Sequence, residues 1–308
     1  MEDIQPKTYL KLVVNTAVFV VGFIGNLLTI IVICRKRQNK STYQILVLNL
    51  AIADFLFIIS ILPLSTYEMF GVIEKAGFYC RVIWPWFTIP YLLSIFSITS
   101  MALQRCRSIV MPYRPKLSKR LTFAWVAVIW LASFVIVLPL VIVTRSVYPG
   151  ECVENWPSFN HRKAYTLALV LLQYLIPLFI ITIVYAKITR YLLNNSEVRR
   201  SGSFSTEEQR AAEARRLKKR NQAIRTLAAV VILFAVCLFP GQVAWLLMDF
   251  GGGGSSQEKA IEILFEFSDF LDNFHACINP VIYCMLNARY RAEYCRCLLV
   301  VFRGNQEN

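Results

Sequence analysis

Apolar residues along this chain fall in seven long blocks, near 10–34, 42–70, 78–110, 121–144, 164–193, 224–248 and 261–286, separated by short polar connections. Each block reaches the roughly 20 residues that a helix needs to cross a hydrocarbon core. Alternating segments of about ten residues, the mark of a membrane barrel, do not occur. Lipid satisfies no open backbone groups, so helices are the remaining spanning solution. The pattern predicts an all-α fold, a seven-transmembrane helix bundle over 10–287. A polar tail at 1–9 precedes it, and the first span is expected to act as its own signal anchor. The connection at 194–220 is charged, and its second half has helix-forming composition that prolongs the sixth helix. Residues 288–298 form an amphipathic stretch expected to lie on the membrane surface, followed by a tail at 299–308. Between the sixth and seventh spans, 251–256 (GGGGSS) reads as a flexible tract.

Charge orients this bundle. The chain carries a formal net charge of +14, which by itself suggests nucleic acid. Its distribution argues otherwise. Basic residues cluster after the first span (Arg35, Lys36, Arg37, Lys40) and after the third (Arg105, Arg107, Arg114, Lys116, Lys119, Arg120). They cluster again before the sixth (Arg210, Arg215, Arg216, Lys218, Lys219, Arg220) and after the seventh (Arg289, Arg291, Arg296, Arg303). The other connections are mostly acidic: Glu68, Glu74, Glu151, Glu154, Asp249, Glu258 and Glu262. The excess of Lys and Arg on alternate connections places the N-terminus outside the cell and the C-terminus in the cytoplasm.

Cysteines refine the picture. Of nine, only Cys80 and Cys152 fall on the outer side, where a disulfide persists. Bridging them ties the top of the third helix to the second outer loop. Cys295 and Cys297 sit in the amphipathic stretch and read as palmitoylation sites or as free interfacial thiols. The sequons at Asn39 and Asn194 fall on the cytoplasmic side and are expected to be unmodified. No spacing suggests a structural metal.

Ionisable groups at membrane depth are costly and are functional suspects. Asp54 lies mid-span, and a bundle brings Asn26, Ser94 and Asn279 to its depth. Their oxygens suit a sodium ion, chiefly at Asp54 and Ser94, or a hydrated polar network; no other cofactor is implied. Glu258, Glu262, Glu266, Asp269 and Asp272 are spaced by four, four, three and three residues, which puts all five on one helical face. A solvated face is the bland reading, but the inner members lie at membrane depth. An acidic wall on an outward-facing cavity fits better and favours a ligand with Arg or Lys side chains. Trp84, Phe87 and Tyr91, with Trp86 and Pro90 beside them, form an aromatic stripe that either packs or lines this cavity. Gln242 and Trp245 would complete it. Pro63, Pro139, Pro177, Pro240 and Pro280 kink their spans.

These residues resemble a known family. In order along seven spans stand Gly25-Asn26, Leu50-Ala51-Ile52-Ala53-Asp54, Cys80, Arg105, Trp130, Pro177, Tyr185, Phe234, Pro240 and Asn279-Pro280-Val281-Ile282-Tyr283. Over nearly its whole length the chain resembles the rhodopsin-like (class A) G-protein-coupled receptors. The acidic mouth and the stretches 97–107 and 114–119 look most like neuropeptide receptors. The resemblance implies an extracellular ligand, here a short basic or amidated peptide, and a plasma-membrane location. It implies that agonist swings the sixth helix about Pro240, while Arg105, Tyr185, Phe234, Asn279, Pro280 and Tyr283 rearrange to receive a heterotrimeric G protein. Arrestin and anionic lipid are further expected partners.

Several positions depart from the family's pattern. Gln104 replaces the acid before Arg105, Cys106 replaces the following aromatic, and Arg220 stands where a restraining carboxylate often caps the sixth helix. The missing ion pair suggests raised basal activity. Leu238 replaces the usual tryptophan two residues before Pro240. Phe87 stands where amine receptors carry an aspartate, and Asn273 where opsins carry the retinal lysine. The alternatives are a signalling-silent or constitutively active receptor-like scavenger, suggested by Gln104 and Leu238, and a transporter or channel. Against the latter, no internal repeat is visible, and the buried polar groups stop at Asp54 and Asn279. An enzyme is not expected, since His161 and His275 stand apart from any nucleophile or metal cluster; His275 reads as a packed polar group near Asp54.

Overall fold

The computed structural model describes residues 6–35, 40–68, 77–115, 117–147, 151–201 and 207–304. Lys36, Arg37, Asn39, Glu74 and Lys116, the side chains of Asn194, Arg289 and Arg303 and of the basic residues at 210–220, and the tail residues 1–5 and 305–308 lie outside the described residues.

Eight helices account for most of the described chain. α1 is Pro6–Arg35 and α2 is Thr42–Glu68. α3 starts in a π turn at Tyr79–Ile83, passes through Trp84–Trp86 and continues as Thr88–Val110. α4 is Lys119–Val143, capped by the Ser118 hydroxyl, which accepts from the Leu121 amide. α5 joins Phe159–Val170, a π turn at Leu171–Leu175 and Ile176–Ser201. α6 is one 44-residue helix, Glu207–Phe250, so the helix-forming half of the charged connection does prolong the sixth span. α7 is Ser255–Leu286 and α8 is Ala288–Gly304.

Three features differ from the pattern-based expectation. Thr144–Val147 (β1) and Glu151–Glu154 (β2) pair as an antiparallel hairpin, with Ser146 opposite Cys152. Strands of four residues carry too little periodicity to be read from hydropathy. The 251–256 tract is only half loop: Ser255 and Ser256 open α7, and Gly253 (φ 75°) and Gly254 (φ 142°) make the turn before it. α8 runs past 298 to Gly304, because the apolar run continues through Leu299, Val300, Val301 and Phe302.

Six of the helices are long and apolar enough to cross a membrane by composition alone. Besides the short α8, α7 is not among them; Glu258, Glu262, Glu266, Asp269 and Asp272 interrupt it. Its inner half is buried in the bundle all the same, at Ser268, His275, Ala276, Cys277, Asn279, Pro280, Ile282 and Tyr283. On α4 the outward face is bare and apolar: Leu131 is 65% exposed, Val135 58% and Ile142 65%. Such a continuous apolar surface is stable in lipid and a liability in water.

The largest core cluster joins Leu50 of α2, Ile98 and Met101 of α3, Ile181 of α5, Phe234 of α6 and Tyr283 of α7. Buried polar pins fix the helices against one another where hydrophobic sorting between helices is weak. Asn49 Nδ2 donates to Ser97 Oγ at 2.7 Å, and Trp130 Nε1 donates to Asn49 Oδ1 at 2.9 Å, so α2, α3 and α4 share one node. α8 is docked on α1 by a 2.6 Å hydrogen bond between the Thr29 and Tyr294 hydroxyls, and on α7 by the contacting rings of Tyr283 and Tyr290.

Candidate ligand-binding cavity

At the end of the bundle that carries the hairpin, the helices part around a cavity of about 960 Å³. A disulfide between Cys80 and Cys152 roofs it by tying β2 to the first turn of α3. Its aromatic wall comes from Trp84, Phe87 and Tyr91 on α3, and Phe57 of α2 meets Tyr91 edge-on at 5.2 Å. Trp86 faces elsewhere, donating from Nε1 to Ser60 Oγ at 3.1 Å, and Pro90 lines a smaller cavity beneath. Gln242 and Trp245 on α6 face the cavity, and the Trp245 ring packs against Phe265 of α7. Leu238, Gly241, Gln242 and Trp245 recur at three- and four-residue spacing, so one face of α6 forms a whole wall.

The acidic face is rebuilt from three elements rather than one. Glu266, Asp269 and Asp272 of α7 line the cavity, joined by Glu68 at the end of α2 and Glu154 of β2. Glu262 does not line it: that side chain and Glu258 are exposed. Sharing a helical face does not suffice to line the cavity, since Ile263 borders it while the neighbouring Glu262 does not. Glu68 and Glu154 were visible in the sequence as acidic outer connections; only the fold turns them inward, Glu154 through the bridge at Cys152. Glu154 Oε2 accepts from Trp156 Nε1 at 2.6 Å, and Glu68 Oε1 from the Tyr79 hydroxyl at 2.7 Å. Lys11 of α1 also lines the mouth and pairs with Glu266 at 3.0 Å, with both side chains about half exposed. Such a pair is screened and exchangeable. Deepest of the acids is Asp272. The Ser268 hydroxyl donates to its Oδ2 at 3.2 Å, and the Tyr91 hydroxyl stands beside the carboxylate.

Below lies a small cavity of about 10 Å³ bounded by Asp54, Tyr91, Ser94, Asp272 and His275. Ser94 Oγ donates to Asp54 Oδ1 at 2.8 Å and Asn279 Nδ2 to Asp54 Oδ2 at 2.7 Å. Asn26 makes no direct hydrogen bond to Asp54 among the described residues. Its amide donates to the carbonyls of Gly22 and Ala276, each at 3.0 Å, and so staples α1 to α7 instead. His275 is buried beside Phe234, ring to ring at 6.3 Å.

At the opposite, basic end, Arg105 stacks on Tyr43 of α2, and the Tyr185 hydroxyl reaches toward the Ile224 carbonyl of α6 at 3.5 Å. Gln222 of α6 donates to the carbonyl of Leu286, closing α6 onto the last turn of α7. Pro240 and Pro280 lie inside α6 and α7. Phe234 and Tyr283 are buried between them, and the Tyr283 hydroxyl has no partner among the described residues. Cys295 and Cys297 of α8 face different ways: Cys295 is exposed, whereas Cys297 is 6% exposed, and Arg35 donates to its sulfur at 3.7 Å. The two cysteines of the amphipathic stretch therefore differ in exposure.

A bundle with these landmarks has relatives. The profile of the 7 transmembrane receptor (rhodopsin family) matches residues 25–283. The chain is 27% identical over 299 residues to neuropeptide FF receptor 2 of Rattus norvegicus, covering 90% of this chain and 69% of that protein. It is 27% identical over 298 residues to galanin receptor type 1 of Rattus norvegicus, covering 94% and 82%. The QRFP-like peptide receptor of Branchiostoma floridae is 25% identical over 295 residues, covering 92% and 76%. The family match spans every transmembrane helix between Gly25 and Tyr283, and the cavity, the disulfide and the inner polar node all fall within it. This multi-pass membrane protein, a G-protein-coupled receptor and not an enzyme, belongs to the rhodopsin family of seven-transmembrane receptors.

Proposed function

We propose that the cavity takes a short basic or amidated peptide from outside the cell, and that the N-terminus and the disulfide end face outward. The single observation that carries this is the acidic lining: Glu68, Glu154, Glu266, Asp269 and Asp272 surround a space with one lining lysine, Lys11, already bound to Glu266. A cavity of about 960 Å³ is at the large end of the range for small-molecule pockets. The relatives' names, receptors for neuropeptide FF and for galanin, agree with a peptide. The ligand acts by binding the two arrangements of the bundle unequally, which shifts their ratio and frees the basic end for a heterotrimeric G protein.

The test is a panel of amidated peptides, with and without Arg or Lys, applied to cells expressing the chain with a calcium or cyclic-nucleotide readout. Basic members should activate. Activation by neutral or acidic members alone would overturn the reading. Neutralising Glu266 and Asp269 together should lower potency by about tenfold or more, the loss of charge-assisted contacts.

Three finer assignments belong to the same reading. The Asp54 carboxylate and Ser94 hydroxyl supply hard oxygens beside the small cavity, a donor set that fits sodium. Cys295 carries the palmitoyl chain. Arrestin and anionic headgroups share the basic end with the G protein. A second reading, a scavenging receptor that does not signal, draws on Gln104 and Leu238; separate G-protein and arrestin recruitment assays discriminate it.

A further inference from the structure

We propose that the floor of the cavity is a dedicated subsite for one cation on a long, flexible stem, a lysine or arginine side chain, with Asp272 as counter-ion and Leu238 as the residue that leaves room for it. This rests on the basic-ligand reading and deepens it, because a basic ligand can also be held wholly by the acids at the rim.

The geometry separates rim from floor. Glu266 is half exposed and already paired with Lys11. Its charge is screened by water and ions, and an exchange of one cation for another there gains little. Asp272 is different. It borders both the main cavity and the small cavity beneath. The Ser268 hydroxyl donates to one oxygen and the Tyr91 hydroxyl stands next to the carboxylate, so its neighbours here are hydroxyls, and no cation pairs with it among the described residues. A buried carboxylate held only by neutral hydroxyls is costly, and a cation brought to it gains more than at the surface.

The route down to it is open on the α6 side. Gly241 packs so closely that a methyl group there would meet the Ser268 hydroxyl, which places α6 directly against the Asp272 shelf. One turn inward on the same face, position 238 lines the cavity with leucine. An indole at that position, whose side chain has six more heavy atoms than leucine's, would occupy the floor. Phe87 and Tyr91 supply aromatic faces along the way, which suit an ammonium or guanidinium and its methylene stem.

The experiment uses the full chain in lipid nanodiscs and ligand-observed NMR with Nα-acetyl-arginine amide, Nα-acetyl-lysine amide and the uncharged Nα-acetyl-citrulline amide. Arginine or lysine amide should bind at least about tenfold tighter than citrulline amide, and comparison of the two tells guanidinium from ammonium. Asp272→Asn should weaken the charged probe by about tenfold, and Asp272→Glu should largely restore it. Leu238→Trp should weaken it as well, while Glu266→Gln should leave it within about threefold. Thermal unfolding of each variant checks folding. Loss with Glu266→Gln but not Asp272→Asn would overturn the subsite and leave the basic-ligand reading standing. Equal binding of citrulline amide, no binding by the unsubstituted chain, or indifference to Leu238→Trp would also overturn the subsite.

Discussion

The guanidinium carbon of Arg105 lies 3.6 Å from the centroid of the Tyr43 ring, so α3 and α2 meet at the basic end through a cation–π contact. The position before Arg105 is Gln104, and Arg105 has no ion pair among the described residues; its Nε is buried without a hydrogen bond. The aromatic face therefore stands in for the carboxylate that the family's pattern puts next to the arginine. Such a contact contributes about 0.5–2 kcal/mol, which corresponds to roughly a two- to thirtyfold shift in a two-state ratio. Tyr43→Leu should raise ligand-independent GTPγS binding by a G-protein panel within that range, and Tyr43→Phe should not. Equal basal signal from both variants and the unsubstituted chain would assign Tyr43 to packing alone.

The hairpin of β1 and β2 depends on the bridge from Cys80 to Cys152, which are 72 residues apart in sequence. It holds Glu154 over the cavity, and a two-stranded hairpin is marginal on its own. Cys152→Ser should lower the unfolding temperature in detergent, consistent with the roughly 2–4 kcal/mol usual for such a crosslink. Cys80→Ser should do the same, and the double variant should be no worse than either single one. An additive loss would mean the two cysteines act separately.

Much of this architecture is legible in sequence because long apolar blocks leave a chain few choices in lipid. The bundle, the disulfide partners and most cavity residues follow from block length, charge sidedness and helical spacing. What escaped did so for local reasons. β1 and β2 are too short to show a period, and Glu68 and Glu154 look like ordinary loop acids until the fold turns them inward. Glu262 shares the spacing of the inner acids but is exposed and outside the cavity lining, because periodicity fixes a face only approximately over several turns. Tyr43 carries no motif; only the approach of α2 to α3 brings its ring under Arg105.

The two cysteines of α8 make opposite predictions. Cys295 is exposed on the helix surface, while Cys297 packs in the core beside Arg35. Thioester capture from membranes should therefore find acylation that Cys295→Ser abolishes and Cys297→Ser leaves unchanged. Cys297→Ser should instead lower the unfolding temperature slightly, since it puts a hydroxyl into a mostly apolar contact. Acylation that survives Cys295→Ser and is lost only when Cys297 is also replaced would contradict the burial of Cys297.

At the cavity end, α5 and α6 are latched together. Asp249 is 1% exposed; Arg162 Nε approaches its Oδ1 at 2.8 Å and the Thr166 hydroxyl donates to its Oδ2. Lys163, one residue along, stacks over Phe159 of its own helix and over Phe250 of α6. Removing one member of a buried pair strands the other, so Arg162→Ala and Asp249→Ala should each destabilise the fold by about 3–5 kcal/mol at most, less for the partly exposed arginine. The double variant should cost less than the sum of the two, with a coupling of about 0.5–3 kcal/mol. The latch also holds the outer end of α6 while Pro240 lies mid-helix, so its loss should alter agonist efficacy more than the binding of a peptide fragment that reaches only the floor. Thermal unfolding of the four chains of the cycle, read beside G-protein activation, checks both halves, and strict additivity in the unfolding data would reduce the latch to two independent contacts.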